Sequence, residues 1–511
     1  MENMFRVFTA GVACAGLTCG ILSPLSAVAA ELPDDTTIYS WVNDIVGFGV
    51  RVPGSQASAQ TAQYIHDHFI ASGLTNVGYE TADTLVWSAS HFRLRIDGED
   101  IPSSPILHTM QSGSPTSFST PLDGLDAELV YVGNGAAHQY WFRNVRNKIV
   151  VADVGFARWP LWLLRPFLLS LQDSQNSLGS GYTLVDPYSG GDFPERYYRA
   201  MENGAAGFIG ILTDYFDSHQ YHNESYDAYE PGGAMKIPGA WLSPVDGAEL
   251  VDRIKARPLL ARPMRARLDL TGQLTREQAR GVIGYLPGQT DEIILVQSHH
   301  DSSTPGATED ASGTAVVLAL ARYFAQIPLE QRQRTLLFAT MDSHFTDYAL
   351  HREFSRRHIR PGNPLGENIV AAVTIEHIAE EVIVGPGRQP VTTGQLAPRI
   401  LMVSTEITGF RDIAREVLPA YGLERTAAIG TNVMQLLSGG GIPADSSKFL
   451  RDGLPVFALV GAPLYLYDAI DTMDKVPAQE LERVAGAFAE VIHRIDALPS
   501  ANFKRLPLRQ D

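Results

Sequence analysis

Four short runs in the second half of the chain carry groups that bind metals or move protons. The first is Ser298-His299-His300-Asp301, which closes an apolar stretch beginning at Ile293. His299 and Asp301 form a His-x-Asp pair. A ligating imidazole needs its tautomer fixed by a carboxylate behind it, a part that Asp301 can take. The second is Gly306-Ala307-Thr308-Glu309-Asp310-Ala311-Ser312-Gly313, a loop that opens a helix. The third is Met341-Asp342-Ser343-His344-Phe345, and the fourth is Thr374-Ile375-Glu376-His377. A single His or Glu at a strand end is commonly just a satisfied polar group. Four such runs in succession point to a site, because open α/β sheets gather their functional groups at the carboxyl ends of the strands.

The elements that must position these runs alternate. Gly281 to Tyr285 reads as a strand, Pro287-Gly288-Gln289 as a turn, and Ile293 to Ser298 as a buried strand. Ala311 to Gln326 reads as a helix, and Thr335 to Thr340 and Ile369 to Ile375 as further strands. Strands and helices in this alternation imply a largely parallel sheet covered on both faces. Nearer the N-terminus, Ile38, Val42, Ile45 and Val46 recur at helical spacing. Arg51-Val52-Pro53-Gly54-Ser55 reads as a turn, and Ala57 to Ser72 as an amphipathic helix ending near Gly73. Between about 116 and 272 the texture becomes β-rich, with runs at Glu128 to Val132, Lys148 to Asp153 and Gly207 to Leu212. Trp159 to Leu171 is densely apolar but too short to cross a bilayer, and Pro160 and Pro166 interrupt it. It reads as a buried or interface segment. A lid or membrane-surface patch is the other reading.

At 511 residues the chain is long enough for two or three units. Hydrophobic residues at 45% and charged residues at 19% are a globular composition. A formal net charge of -17 excludes the basic face that nucleic acid requires. Residues 1–30 read as a secretory signal peptide. Arg6 is its basic start, Val7 to Val28 is mostly apolar, and Ala27-Val28-Ala29 is a small-residue site placing cleavage near Ala29 or Ala30. The mature protein is expected in the periplasm or outside the cell, with no stable membrane span. Cys14 and Cys19, the two cysteines, both lie in this leader. The mature chain therefore has no thiolate, and any metal is held by His and carboxylates.

The order and spacing of the four runs resemble metallopeptidase family twenty-eight, the co-catalytic zinc aminopeptidases and glutamate carboxypeptidases. His299-His300-Asp301 resembles that family's His-x-Asp, and Gly306 to Gly313 its Gly-Ala-x-Asp-x-x-Ser-Gly. Asp342-Ser343-His344-Phe345 stands in the place of Asp-Gly-Glu-Glu. Ala444-Asp445-Ser446 is similar to Ser-Asp-His, Leu466 to Thr472 to Tyr-His-Thr-x-x-Asp-Thr, and Arg51 to Ser55 to an N-terminal Arg-x-x-Gly-Ser. The likeness covers about residues 38–115 and 275–495, and the helix-opening loop is its most specific part. Asn203 to Ile209 with Ile237-Pro238 resembles the protease-associated domain often inserted in this family.

The resemblance implies an α/β fold, a three-layer α/β/α sandwich with a mostly parallel sheet. Residues 31–115 and 273–500 would form the peptidase-like domain and 116–272 an inserted β-rich domain. It also implies where the chain departs. Glu309 takes the place of the bridging Asp and Glu376 that of the strand-end Asp, and both keep a carboxylate. His344 falls on the general-base Glu, Phe345 on a ligand Glu, and Tyr467 on the last ligand His. One zinc thus loses its exclusive ligands, while His299, Glu309 and Glu376 survive as residue types that bind metal. Three protein ligands plus water are a catalytic zinc arrangement. The expected site is therefore one zinc held by His299, Glu309 and Glu376, with Asp301 orienting His299 and His344 as base. A neutral His, with a reference pKa near ~6.5, suits that task.

Two functions follow. One is zinc-dependent hydrolysis of a peptide or related amide bond, with exopeptidase action of aminopeptidase type implied by the resemblance. The other is a catalytically degenerate member that binds a peptide or partner without turnover, and metal content separates the two. A metal-free serine hydrolase has no Gly-x-Ser-x-Gly elbow to support it. Substrate identity and oligomeric state are not legible.

Overall fold

The computed structural model describes residues 30–187, 193–224, 234–258, 261–438 and 440–508. The leader and both cysteines lie outside them, apart from Ala30. Among the described residues no helix is long and apolar enough to cross a membrane.

The architecture is a three-layer α/β/α sandwich on a mostly parallel central sheet, with extra β structure at one end. Glu292–His299 lies at the centre, parallel to Thr335–Met341 on one side and Asn368–Glu376 on the other. Val456–Gly461 continues the parallel set, and Arg399–Val403 and Thr426–Gly430 follow toward the edge. The inner strands are apolar at consecutive positions because both faces are covered. In Glu292–His299, Ile294 and Val296 pack with one helical layer, while Ile293 and Leu295 pack with the other. The first layer contains Asp35–Gly47, Gln56–Ser72, Gly313–Ala325 and Ala478–Asp496. The second contains Ala349–Phe354 and Ser447–Arg451.

Helix Gln56–Ser72 matches the expected amphipathic run. Ser55 caps it by accepting from Ser58 N (3.0 Å), and Gly73, at φ 91°, ends it in the left-handed conformation that glycine adopts without strain. Strand Arg265–Leu286 is longer than its sequence signal, running 22 residues through the expected boundary at 272. Thr75–Ile96 pairs with it antiparallel along nearly its whole length. One end of Arg265–Leu286 pairs with Thr335–Met341 in the central sheet, and the other with Leu125–Tyr131 in the β-rich region. The pair is therefore a two-stranded beam shared by both regions. Thr116–Ser119 pairs with residues 271–274 on it, so the points where the β-rich region leaves and returns are hydrogen-bonded neighbours. That region has its own apolar clusters, including Ile149, Val151, Ile209 and Leu242.

The apolar run Trp159 to Leu171 divides its residues between contact and solvent. Ala157–Pro160 pairs with Thr183–Asp186, and Leu168–Gln172 crosses over to join Thr426–Gly430 at the edge of the central sheet. Leu161 is buried, whereas Trp162 (57%) and Phe167 (53%) stay exposed.

Arg51 is not a surface turn residue. Its side chain is fully buried against the loop that follows His299. Nε donates to His300 O (2.8 Å), Nη1 to Pro305 O (2.9 Å) and Nη2 to Gly306 O (2.8 Å). Its backbone exchanges hydrogen bonds with Ser302. Burial lowers the guanidinium pKa to about 10, opposed by Asp471 and Asp301, so it stays charged at neutral pH. Arg51→Met takes the donor from His300 O and Pro305 O and leaves Gly306 O with Ala311 N alone. It should lower unfolding free energy by about 3 kcal/mol or more, read as a fall in urea midpoint. Arg51→Lys should not restore the wild-type midpoint, since an ammonium cannot span the three acceptors.

Candidate metal centre

Because the three central strands are parallel, His299, the segment from Asp342 and the pair Glu376-His377 all emerge at the same sheet edge. The loop carrying Glu309 is pinned there by two buried carboxylates. Asp471 accepts from Thr308 N (2.9 Å) and Glu309 N (3.0 Å). Asp310 accepts from Gly313 N (3.1 Å), His377 N (3.0 Å) and the Ser298 hydroxyl, so it ties the loop, the helix start and two strand ends together. A Cβ at Gly313 would collide with Ile375 O and the Asp310 carboxylate, so only glycine fits there. Burial raises Asp471 to about 7 and Asp310 to about 6, against the hydrogen bonds they accept.

Glu309 sits at the centre of a fully buried cluster. Its Oε1 lies 3.4 Å from His299 Nε2 and 3.6 Å from His344 Nε2, and its Oε2 lies 2.6 Å from His377 Nε2. Asp301 stands behind His299, with Oδ1 3.3 Å from Nδ1, and also accepts from Phe345 N (3.3 Å). His344 stacks on His299 at a ring separation of 4.3 Å. Its Nδ1 lies 2.8 Å from Asp445 Oδ1, and the other oxygen of Asp445 is 2.9 Å from His351 Nε2.

The expected trio is brought together in two of its three members. One donor atom each of His299, Glu309 and His377 lies within 4.8 Å of the others, and a second such group is His299, His344 and Asp445. Glu376 is in neither, a departure from the expected ligand set. Its Oε1 accepts from Asp445 N (3.0 Å), and burial with the charge of Asp445 raises its carboxyl to about 8. The reason is local. His377, the first residue past the strand, has φ 58°, a left-handed conformation rare for a residue with a side chain, so the alternation of the strand does not continue through it. His300 turns elsewhere, its Nδ1 3.1 Å from Thr340 Oγ1. Phe345 and Tyr467 pack edge to face at 5.6 Å.

The residues present fit a zinc ion. His299 Nε2 and Glu309 Oε1 face each other at 3.4 Å, buried and without a hydrogen-bond partner, and imidazole with carboxylate is a donor set that zinc accepts. The sequence left open whether His300, His344 or His377 complete a different metal set, and of these His377 is the one grouped with His299 and Glu309. The sequence signal missed Glu224, far away in the chain, whose Oε1 lies 3.5 Å from His344 Nε2.

The strand-end His-carboxylate cluster on an α/β/α sandwich has counterparts among known proteins. Residues 281–343 match the profile of Peptidase family M28. The chain is 27% identical over 179 residues to Aminopeptidase YwaD of Bacillus subtilis, covering 32% of this chain and 35% of that protein. It is 23% identical over 497 residues to Probable glutamate carboxypeptidase AMP1 of Arabidopsis thaliana, covering 86% of this chain and 64% of that one. Both matches thus span less than two thirds of those relatives. The solved structure of BSAP, a zinc aminopeptidase from Bacillus subtilis, superposes with a TM-score of 0.60 at 16% identity, covering 93% of this chain and 98% of that one. The part of the chain similar to peptidase family M28 holds the first two of the four motif runs and the start of the third.

Two outcomes test the centre. His377→Ala should weaken zinc binding at least about tenfold, while Glu376→Gln should weaken it less. Equal losses would restore Glu376 to the ligand set. Proton competition gives the second. Desolvation disfavours imidazolium at His299 and His377, but the surrounding carboxylates outweigh it and hold them at about 10 and about 9. Zinc needs neutral imidazoles, so binding must release these protons, and apparent affinity should rise with pH between 6.5 and 9. Calorimetry in buffers of different ionisation enthalpy would read the release. For the metal-free chain the sign is opposite. Raised His pKa values stabilise it below the unfolded value near ~6.5, and that stability is lost as pH climbs through 9 to 10.

Proposed function

We propose that the protein is a zinc-dependent peptidase, an exopeptidase of aminopeptidase type that hydrolyses peptide or related amide bonds. The observation that carries this reading is the convergence of His299, Glu309 and His377 within 4.8 Å at the carboxyl ends of parallel strands. One ion per chain is proposed, held by these three residues with Glu376 beside them. When bound, zinc would polarise the scissile carbonyl and acidify a water.

The chain's own residues do the rest. Asp301 fixes the orientation of His299. His344 presents Nε2 to the cluster because Asp445 engages its Nδ1. In that tautomer Nε2 takes the proton of the attacking water and returns it to the leaving amine. Asp445 is held well below the usual carboxylate range, since His351, His299 and His344 outweigh its burial, so it remains an anion able to support His344 as a cation. Residues 116–272 are proposed as a protease-associated-like lobe at the cleft, and residues 1–30 as an export signal that delivers the chain to the periplasm or beyond the cell.

His344→Ala should lower turnover by on the order of 100- to 10,000-fold while zinc content stays near one per chain. Metal content and hydrolysis of aminoacyl p-nitroanilides, read on the same preparations, decide it. Loss of zinc together with activity would make His344 a ligand. Unchanged hydrolysis would remove it from the mechanism.

A further inference from the structure

A cavity of about 410 Å³ opens beside the metal centre, with His344, Tyr348, Glu376 and His377 at one end. Its walls are apolar. Ile429, Met434 and Ile442 come from the catalytic half, and Leu164, Leu168 and Leu184 come from the segment that leaves the β-rich region and joins the edge of the central sheet. Such a mostly apolar pocket takes a bulky apolar group.

One charged side chain reaches the junction of this pocket and the metal centre from the β-rich region. Glu224 lines the cavity, and its Oε1 is 3.5 Å from His344 Nε2. The hydroxyl of Tyr467 donates to Oε1, and that of Tyr348 donates to Oε2 (3.2 Å). Its backbone is fixed from behind. His222 N donates to Tyr467 O (2.9 Å), and the fully buried Asn223 donates to Leu107 O (3.2 Å) while its Oδ1 accepts from Leu107 N (3.0 Å) and Trp241 Nε1 (3.2 Å). The Glu224 side chain is only 14% exposed, and among the described residues no Lys or Arg pairs with it. Lys448, also on the cavity wall, lies over the ring of Tyr348 at 4.5 Å. An anchored carboxylate beside an apolar pocket and a reaction centre is built to meet a cation that arrives with an apolar group.

We propose that Glu224 is a specificity-determining residue that receives the free ammonium of the substrate's terminal residue, while the apolar cavity receives that residue's side chain. The recognition of a free amine thereby comes from the β-rich region and not from the strand-end motifs. The inference rests on the peptidase reading for its substrate and deepens it.

The test uses zinc-loaded full-length protein. Leucine p-nitroanilide and its N-acetyl derivative are compared on wild type, Glu224→Gln and Tyr467→Phe. Binding of leucinamide and N-acetylleucinamide is measured by calorimetry on the same proteins. Glu224→Gln keeps the shape and one tyrosine acceptor, its NH2 donating to the other phenol oxygen, while removing the charge. It should reduce the preference for the free amine about 10- to 100-fold, through KM and through leucinamide affinity. Zinc content and melting temperature should not change. Tyr467→Phe, which leaves the charge, should retain most of the preference. A preference unchanged in Glu224→Gln overturns the proposal, as does wild type taking the N-acetyl compounds equally well. If wild type hydrolyses neither substrate, the peptidase reading fails by itself. The leucinamide comparison then still decides Glu224: a free-amine preference lost in Glu224→Gln upholds its role, and equal binding ends it. Should Glu224→Gln fold poorly, Glu224→Asp replaces it, with a smaller loss of preference expected and an unchanged preference overturning the proposal.

Discussion

Everything at this centre depends on holding a loop of irregular backbone rigid beneath three strand ends. A loop cannot satisfy its own carbonyls in a buried position, so it needs an internal donor. Arg51 supplies it. One planar guanidinium reaches His300, Pro305 and Gly306 at hydrogen-bond distance, from a segment some 250 residues away in sequence. Asp471 and Asp310 then secure the next residues by accepting backbone N–H groups. The positive charge of Arg51 also offsets the carboxylates above it, since Asp471, Asp301, Asp310 and Glu309 all act on it. Loop geometry and charge balance are thus set by the same side chain.

Above that floor the arrangement is unfavourable unless something binds. Three imidazoles and a Glu carboxylate are packed into a buried site, and burial alone would drive each toward its neutral form. Carboxylates surrounding the imidazoles reverse that tendency, which holds His299 and His377 as cations in the absence of a metal. A protonated cluster is a placeholder for a divalent cation. The charge a metal would bring is already provided for, and exchanging protons for metal leaves the electrostatics nearly level.

The layering of the fold was legible because buried parallel strands and amphipathic helices leave strong periodic marks. Ile293 to Val296 alternate between two helical layers, and Ser55 and Gly73 bracket a helix with ordinary capping chemistry. His299, Asp301, Glu309 and His344 could be read because each stands at a strand end or a helix-opening loop. That His377, and not Glu376, groups with His299 and Glu309 could not, since side-chain direction beyond a strand end follows backbone angles that spacing does not encode. Arg51 looked like part of a turn because its acceptors are carbonyls, which any sequence possesses. Glu224 was invisible for a third reason. It belongs to a segment whose own pattern carries no chemistry and reaches the centre only through tertiary packing.

That last contact bears on how the two parts of the chain divide their work. Tyr467, which stands where the family resemblance expects a ligand His, donates its hydroxyl to Glu224, and its ring packs on Phe345, at the position of a ligand Glu. Neither replacement leaves a void. Both belong to the same apolar cluster as Tyr221, Trp241 and Phe216 of the β-rich region. Two positions that could have held metal instead hold that region against the catalytic half. The residues that stand where the resemblance expects ligands are thus among those that build this contact, and the contact brings a carboxylate to the centre. A substitution such as Tyr467→His would add a nitrogen donor beside the cluster, but it would remove the phenol ring that fills this contact. Gaining a ligand there would weaken the seating of Glu224, so the metal set and the docking of the β-rich region cannot be changed independently.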